Sequence, residues 1–406
     1  MAFGIYVHVP YCLQLCPYCD FTKYELGPKN TSGVAPEAYA DLVRKEIRSR
    51  ARGVPRPQSV STVYFGGGTP SLLEPSNILA ILGELANEGL RLESGAEVTI
   101  EIDPATCDQA RLDAYLAMGI NRFSVGAQTF NERLLKIAGR KHTSRETIEL
   151  LDLMRRNNVN YSFDLLFALP SQTLDELRDD LTRALSFSPS HVSAYCLTVP
   201  EGHKLSVGRA PEDEQIQMFD IIEDTLATGG IHRYEISNFA KPGAESRHNI
   251  LYWTDSPYWG IGLSSHSYLT RDALAAVGES AEWGARFWNT RSMKTYADQL
   301  STGQPTEWSF LENLPGSQFE KLAKHQALTD FLHTGLRPLV GFEENALRLK
   351  FGDETSQIVL ARLEKLRTEK LVALTKERRW SMTREGRLIA NVIFEKLTFL
   401  QGEEHE

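Results

Sequence analysis

Three of the chain's five cysteines, Cys12, Cys16 and Cys19, form one C-x3-C-x2-C run. Three thiols leave one over in any pairwise disulfide scheme, so soft thiolates this close together point to a shared inorganic centre. A structural zinc is closed by four ligands, and the candidates for a fourth are His8, just upstream, and the distant Cys107 and Cys196. An iron–sulfur cubane held by three thiolates instead keeps one iron open to a small-molecule ligand. The ligand count favours the cluster, with zinc as the alternative. The rest of the chain is read as serving that stretch.

A chain of 406 residues, 42% of them hydrophobic, can bury a large core and has the length for two or three domains. No apolar run reaches the ~18 residues a membrane span needs. Met1-Ala2-Phe3-Gly4 leads into the first apolar run without a charged leader region, so the cytoplasm is the expected compartment. With 44 Lys and Arg against 53 Asp and Glu, the net charge of −9 argues against a nucleic-acid footprint, which draws on clustered cations.

Short β-branched or aromatic runs recur at residues 4 to 9, 60 to 65, 97 to 102, 122 to 127, 161 to 166 and 191 to 197. Helical periodicity lies between them: Tyr39, Leu42, Val43 and Ile47 share one face, as do Ile148, Leu151 and Met154. Such alternation predicts an α/β fold with a parallel sheet. In parallel barrels the functional groups collect at the carboxyl ends of strands, and the polar motifs obey that rule. Cys12 follows the first run, Gly66-Gly67-Gly68-Thr69 ends the second, Glu101 and Asp103 end the third, Gln128 ends the fourth, and Asp164 sits in the fifth. Residues 1 to 275 are assigned to this domain. Residues 276 to 306, rich in Gly, Ser and Thr, read as an irregular linker. Residues 307 to 406 read as a small helical C-terminal domain, with helices near 318 to 335, 343 to 351 and 356 to 368. Apolar runs follow near 371 to 374 and 380 to 382, and Thr383 caps a last helix to Leu400. Helices followed by a small β element suggest a winged-helix-like module, and its near-balanced charge predicts no nucleic-acid role.

Consecutive glycines at a strand end let backbone approach a ligand without a Cβ in the way, although an ordinary tight turn has the same composition. A carboxylate or an amide, as at Glu101, Asp164 and Gln128, suits hydroxyl groups, and the Arg140 fork suits a carboxylate. The alternative is that these residues pair with one another inside the fold. His248 stands among Tyr252, Trp253, Tyr258 and Trp259. Imidazole is an axial ligand of haem iron, and a buried structural histidine is the alternative.

C-x3-C-x2-C with an aromatic residue, Tyr18, before the last cysteine resembles the signature of radical S-adenosylmethionine (SAM) proteins. With Tyr6, His8 and Pro10 ahead of it and Asp20-Phe21 behind, the stretch is similar to the oxygen-independent coproporphyrinogen oxidase family. Within that family it looks most like the branch of HemW-type haem chaperones. The resemblance implies a partial (β/α)6 radical SAM barrel, where alternation alone would also allow a doubly wound sheet. It implies a 4Fe-4S cluster on Cys12, Cys16 and Cys19. SAM would lie with its amino group on Gly67, Gly68 and Thr69, the rest of it near Glu101, Gln128, Arg140 and Asp164, and Tyr6 beside it. The segment His248-Asn249-x-x-Tyr252-Trp253 matches the stretch proposed for haem binding in the chaperone branch. Two departures separate the chain from the oxidases: Phe21 stands where they continue with a further cysteine, and Tyr6 lacks their N-terminal extension. The implied function is a haem carrier that binds a 4Fe-4S cluster, SAM and haem and passes haem to acceptor proteins, with an electron donor if the cluster is reduced. A coproporphyrinogen III oxidase is the alternative. An RNA- or protein-modifying radical enzyme is a weaker third reading.

Overall fold

The computed structural model describes residues 2–27, 32–53, 59–275, 281–301 and 318–405. Six strands lie parallel and side by side in chain order: β1 Gly4–Val9, β2 Val60–Gly67, β3 Leu92–Ile102, β4 Arg122–Gln128, β5 Tyr161–Phe167 and β6 His191–Cys196. Because the order never reverses among them, the winding is that of a partial barrel and not of a doubly wound sheet.

The strands have a two-residue period, and each face has its own chemistry. Val98, Ile100 and Ile102, then Phe123, Val125 and Ala127, then Phe163, Leu165 and Phe167 belong to the main hydrophobic core. The residues between them, Thr99 and Glu101, Ser124 and Gln128, Ser162 and Asp164, Ser193 and Tyr195, line internal cavities. The surrounding helices start at strong local signals. Thr143 with Glu146 and Thr173 with Glu176 form capping boxes for the helices Ser144–Arg156 and Leu174–Ser186.

Further strands widen the sheet at both edges. Beyond β1 lie Tyr258–Ile261, which is parallel to it, and then the antiparallel strands His266–Leu269, Ala285–Trp288 and Phe319–Lys321. Beyond β6 lie Asn238–Ala240 and His232–Arg233. The expectation of an irregular connection is corrected here, because the strand Ala285–Trp288 and the helix Met293–Ser301 fall inside it. Residues 276–280 and 302–306 of that expected linker lie outside the described residues. Phe319–Lys321, expected at the start of a helix, is also part of the sheet.

A buried polar network holds this extension to the barrel. Glu46 and Arg50, on the helix Pro36–Gly53, form an ion pair at 2.5 Å with side chains 3% and 0% exposed. Glu46 also accepts from Gly262 N at 2.8 Å, Asn289 Nδ2 at 2.7 Å and the Tyr296 hydroxyl at 2.6 Å. Arg50 donates to Ser267 Oγ and Asn289 Oδ1, both at 3.1 Å. Composition in Gly, Ser and Thr misled the reading of this region: Thr290, Ser292 and Thr295 bond locally at the start of the helix Met293–Ser301, while Asn289 and Tyr296 reach the buried pair.

A second core, containing Leu328, Leu332, Leu347, Val359, Leu363 and Trp380, is formed by the C-terminal residues. It lies among the helices Lys324–Gly335, Glu344–Phe351 and Asp353–Thr368 and a three-stranded antiparallel sheet in the order Phe342–Glu343, Arg379–Met382, Val372–Leu374. The expected last helix is broken at Ile389 into Arg384–Leu388 and Ala390–Lys396. Separate cores support the proposed division into two units. They meet where Lys350 pairs with Asp255 and where the Arg337 guanidinium lies 5.0 Å from the Trp253 ring centre.

Glu46→Ala leaves the Arg50 charge buried without its partner. It is expected to destabilise the fold by about 3–5 kcal/mol, read as a lower Tm in thermal unfolding; an unchanged Tm would remove the pair from this role.

Candidate functional site

The loop that carries the cysteines is closed by backbone. Tyr11–Cys12 pairs in parallel with Tyr24–Glu25, Tyr24 N donates to Pro10 O and Leu26 N to Cys12 O. The three thiols line one cavity of about 690 Å³ at the carboxyl ends of the barrel strands. Cys16 Sγ lies 3.7 Å from Gly139 O and 3.7 Å from Arg140 Nη1. Burial pushes the Cys12 thiol up to about 11, so loading a metal centre there must release a proton. Among the described residues, no three His, Cys, Asp or Glu side chains stand ready around a single ion. Three soft donors set around one cavity mouth beside a fixed cation fit a cluster, whose irons are separate points of attachment.

Beside the thiol loop is the glycine turn, with Thr69 hydrogen-bonded to the Cys12 thiol. Gly67 N donates to Glu101 Oε2 at 3.1 Å, Gly68 N to Val9 O at 2.8 Å and Thr69 N to Tyr11 O at 2.7 Å. With these amides committed, what the turn can offer a ligand is carbonyl oxygen, the polarity that suits a cationic amino group. The turn tolerates no side chain: a Cβ on Gly68 would stand 2.6 Å from Tyr11 O and 2.8 Å from Val9 O. Gly67 has φ +113°, which L side chains rarely adopt.

The walls carry the remaining charge. Glu101 Oε1 accepts the Tyr64 hydroxyl at 2.8 Å. Burial and the nearby Asp164 push Glu101 up to about 7, against the Tyr64 and Gly67 hydrogen bonds. Burial likewise raises Asp164 to about 6, opposed by Ser193, Arg140 and Ser124. Arg140 donates to Asp103 Oδ2 at 2.7 Å and to Gly126 O at 3.1 Å. Burial works against the charge of Asp103, but His142, Arg140 and the Ala105 amide hold its carboxyl below the usual range. Gln128 is 8% exposed with φ +64°, a strained conformation that turns the end of β4 into the cavity.

The fold thus brings together Cys12, Cys16, Cys19, Gly67, Gly68, Thr69, Glu101, Gln128, Arg140 and Asp164 around one cavity. Tyr6 lies a layer deeper, its hydroxyl 3.0 Å from His8 Nδ1. His248, expected as a haem ligand with a buried structural histidine as the alternative, has both ring nitrogens hydrogen-bonded in this structure. Its side chain is in the barrel floor, 1% exposed, with Nδ1 2.7 Å from Thr62 Oγ1 and Nε2 2.8 Å from the Tyr252 hydroxyl. Burial lowers it to about 3, and both nitrogens are engaged. Tyr64, Tyr195 and Cys196 were missed as wall residues, and so was the pairing of Asp103 with Arg140. The signal for the two tyrosines was present in the period-two register of β2 and β6, which puts Tyr64 on the face of Gly66 and Tyr195 on the face of Ser193.

A carboxyl whose folded value is raised stabilises the fold below its unfolded value, and that contribution is lost as pH rises through about 6 for Asp164. Asp164→Asn is therefore expected to raise the Tm of the ligand-free protein by about 2–4 °C per kcal/mol at pH 8, with no gain at pH 4. A Tm difference that does not change with pH would contradict this placement.

A family model for the radical SAM superfamily matches residues 6–184. The heme chaperone HemW of Synechocystis is 34% identical over 357 residues, 84% of this chain and 79% of that protein. The protein of the same name from Lactococcus lactis is 30% identical over 400 residues, 96% of each chain, and that from Bacillus subtilis is 28% identical over 398 residues, 96% of this chain and 97% of the other. Among solved structures, coproporphyrinogen III oxidase (HemN) from Escherichia coli, a radical SAM enzyme, superposes with a TM-score of 0.78. It is 21% identical, over 98% of this chain and 90% of that one, a likeness of fold. With its thiol loop and glycine turn side by side at one barrel end, and aligned with these relatives along most of its length, the chain belongs to the HemW family of the radical SAM superfamily.

Proposed function

We propose that the chain is a haem carrier that holds a 4Fe-4S cluster and SAM in the barrel and delivers haem to acceptor proteins. The observation that carries this reading is the near full-length similarity to relatives named heme chaperones. Cys12, Cys16 and Cys19 would hold the cluster, and a reduced cluster with SAM supplies one-electron chemistry. The chain's own residues have distinct parts. Gly67, Gly68 and Thr69 receive the amino group on carbonyl oxygen. Arg140, already anchored by Asp103, keeps a positive charge beside the thiols and the carboxylate of the ligand. Glu101 and Asp164 accept hydroxyl groups, and their raised pKa values favour a site that binds a polar ligand near neutrality. Gln128 bounds the cavity, and Tyr6 supports it from below. Among the described residues no helix is long and apolar enough to cross a membrane. We place the protein in the cytoplasm, with haem acceptors and an electron donor as partners.

Haem ligation by His248 requires the imidazole to give up its bond to Thr62 or to Tyr252. Haem therefore either enters with a local opening of this floor or sits elsewhere with another ligand. Reconstituted, anaerobic protein titrated with haemin is expected to give a Soret shift, and to produce no protoporphyrinogen IX from coproporphyrinogen III with SAM and a reductant. Turnover would favour the oxidase, and the absence of any haemin shift would remove the carrier. Cys16→Ala is expected to lose most of its iron; full iron and sulfide in that variant would remove the cluster assignment.

A further inference from the structure

We propose that His248 is a positioning residue for the glycine turn, acting from beneath it through two tyrosines, so that the H-N-x-x-Y-W segment forms the floor of the SAM site. The inference rests on the reading of the large cavity as the place where SAM binds. The helix Arg247–Trp253 brings the imidazole in. Ser246 caps it, and Glu97 accepts the amides of Arg247 and His248 at 3.1 and 3.0 Å. One turn later Tyr252 is on the same helical face, and its hydroxyl meets His248 Nε2 while Thr62 meets Nδ1. The His-x-x-x-Tyr spacing is therefore what holds the ring still.

Held in this way, the ring stacks on Tyr64 at 5.1 Å and 25° and on Tyr6 at 6.5 Å and 30°. Two chains of contact rise from those tyrosines to one residue. Tyr64 donates to Glu101 at 2.8 Å, and the other oxygen of Glu101 accepts from Gly67 N at 3.1 Å. The Tyr6 hydroxyl is 3.0 Å from His8 Nδ1, and the His8 ring lies so close beneath Gly67 that a Cβ there would be 2.4 Å away. Gly67 holds a left-handed conformation that neighbouring contacts must maintain. One imidazole thus supports both contacts that shape the turn.

The test uses full-length protein with its cluster reconstituted, measuring SAM affinity by equilibrium dialysis, iron content and Tm. His248→Ala is expected to weaken SAM binding about tenfold, the scale of losing a hydrogen bond to a charged group, at unchanged iron content. His248→Phe, which returns a ring to the stack, is expected to recover most of that loss. Tyr64→Phe removes the hydroxyl without disturbing the ring and is expected to weaken SAM binding by a similar factor. Combined with His248→Ala it should cost no more than the worse single variant, because both interrupt one chain. If His248→Ala does not fold, His248→Leu, which removes the ring and leaves an apolar side chain of closer size, takes its place in the cycle with Tyr64→Phe. Parent-like SAM affinity in His248→Ala or Tyr64→Phe, or losses that multiply in the combination, would overturn the proposal. A parent protein that binds its cluster and no SAM would instead overturn the reading of the cavity.

Discussion

A sheet that turns its polar residues inward sets the terms for everything else in this molecule. Most barrel interiors of this size are filled with branched apolar side chains, and here alternate positions on β3 to β6 carry Thr, Ser, Glu, Asp, Gln and Tyr instead. Such groups cannot be buried without partners. Glu101 therefore takes Tyr64 and the Gly67 amide, Arg140 takes Asp103, and Arg122 lies 3.7 Å from Glu97. The interior is built in advance of any ligand, and its hydrogen bonds decide the shape of the turn and the direction of each charge.

The same economy explains how charge is distributed. Burial raises the two carboxyls Glu101 and Asp164, and the charge of Asp164 adds to the rise of Glu101, while Arg140 is paired with Asp103 and touches Cys16. Outside, helices such as Ser144–Arg156 and Leu174–Ser186 bury one apolar face against the sheet and hold these groups in place.

The aromatic segment after residue 246 takes its meaning from the same frame. Read by composition, His248 among Tyr and Trp looks like a porphyrin contact. In place, its two nitrogens are satisfied, its ring is stacked, and Trp253 lies under Arg337 of the C-terminal unit. The segment is where barrel floor and C-terminal unit meet.

The C-x3-C-x2-C run, the six strand cores and the glycine turn were legible in the sequence. Each depends on local chemistry: thiol count, period-two burial and the need for a backbone without a Cβ. Gly67, Gly68 and Glu101 were legible because strand ends of a parallel barrel converge, whereas Arg140, in the connection between the helices Glu132–Ile137 and Ser144–Arg156, was placed by the family resemblance. What the sequence could not supply was who partners whom. Arg140 suits a free carboxylate equally well from sequence, and only folding brings Asp103 to within 2.7 Å. Residues 285 to 301 read as a linker until Glu46 and Arg50, more than two hundred residues upstream, give Asn289 and Tyr296 a buried destination. From sequence His248 reads as a haem ligand or as a buried structural residue, and its partners Thr62 and Tyr64 on β2 are residues that only tertiary packing sets against its ring. Local motifs are determined by covalent geometry and side-chain type; pairings across long sequence separations are decided by the sheet order that brings their strands together.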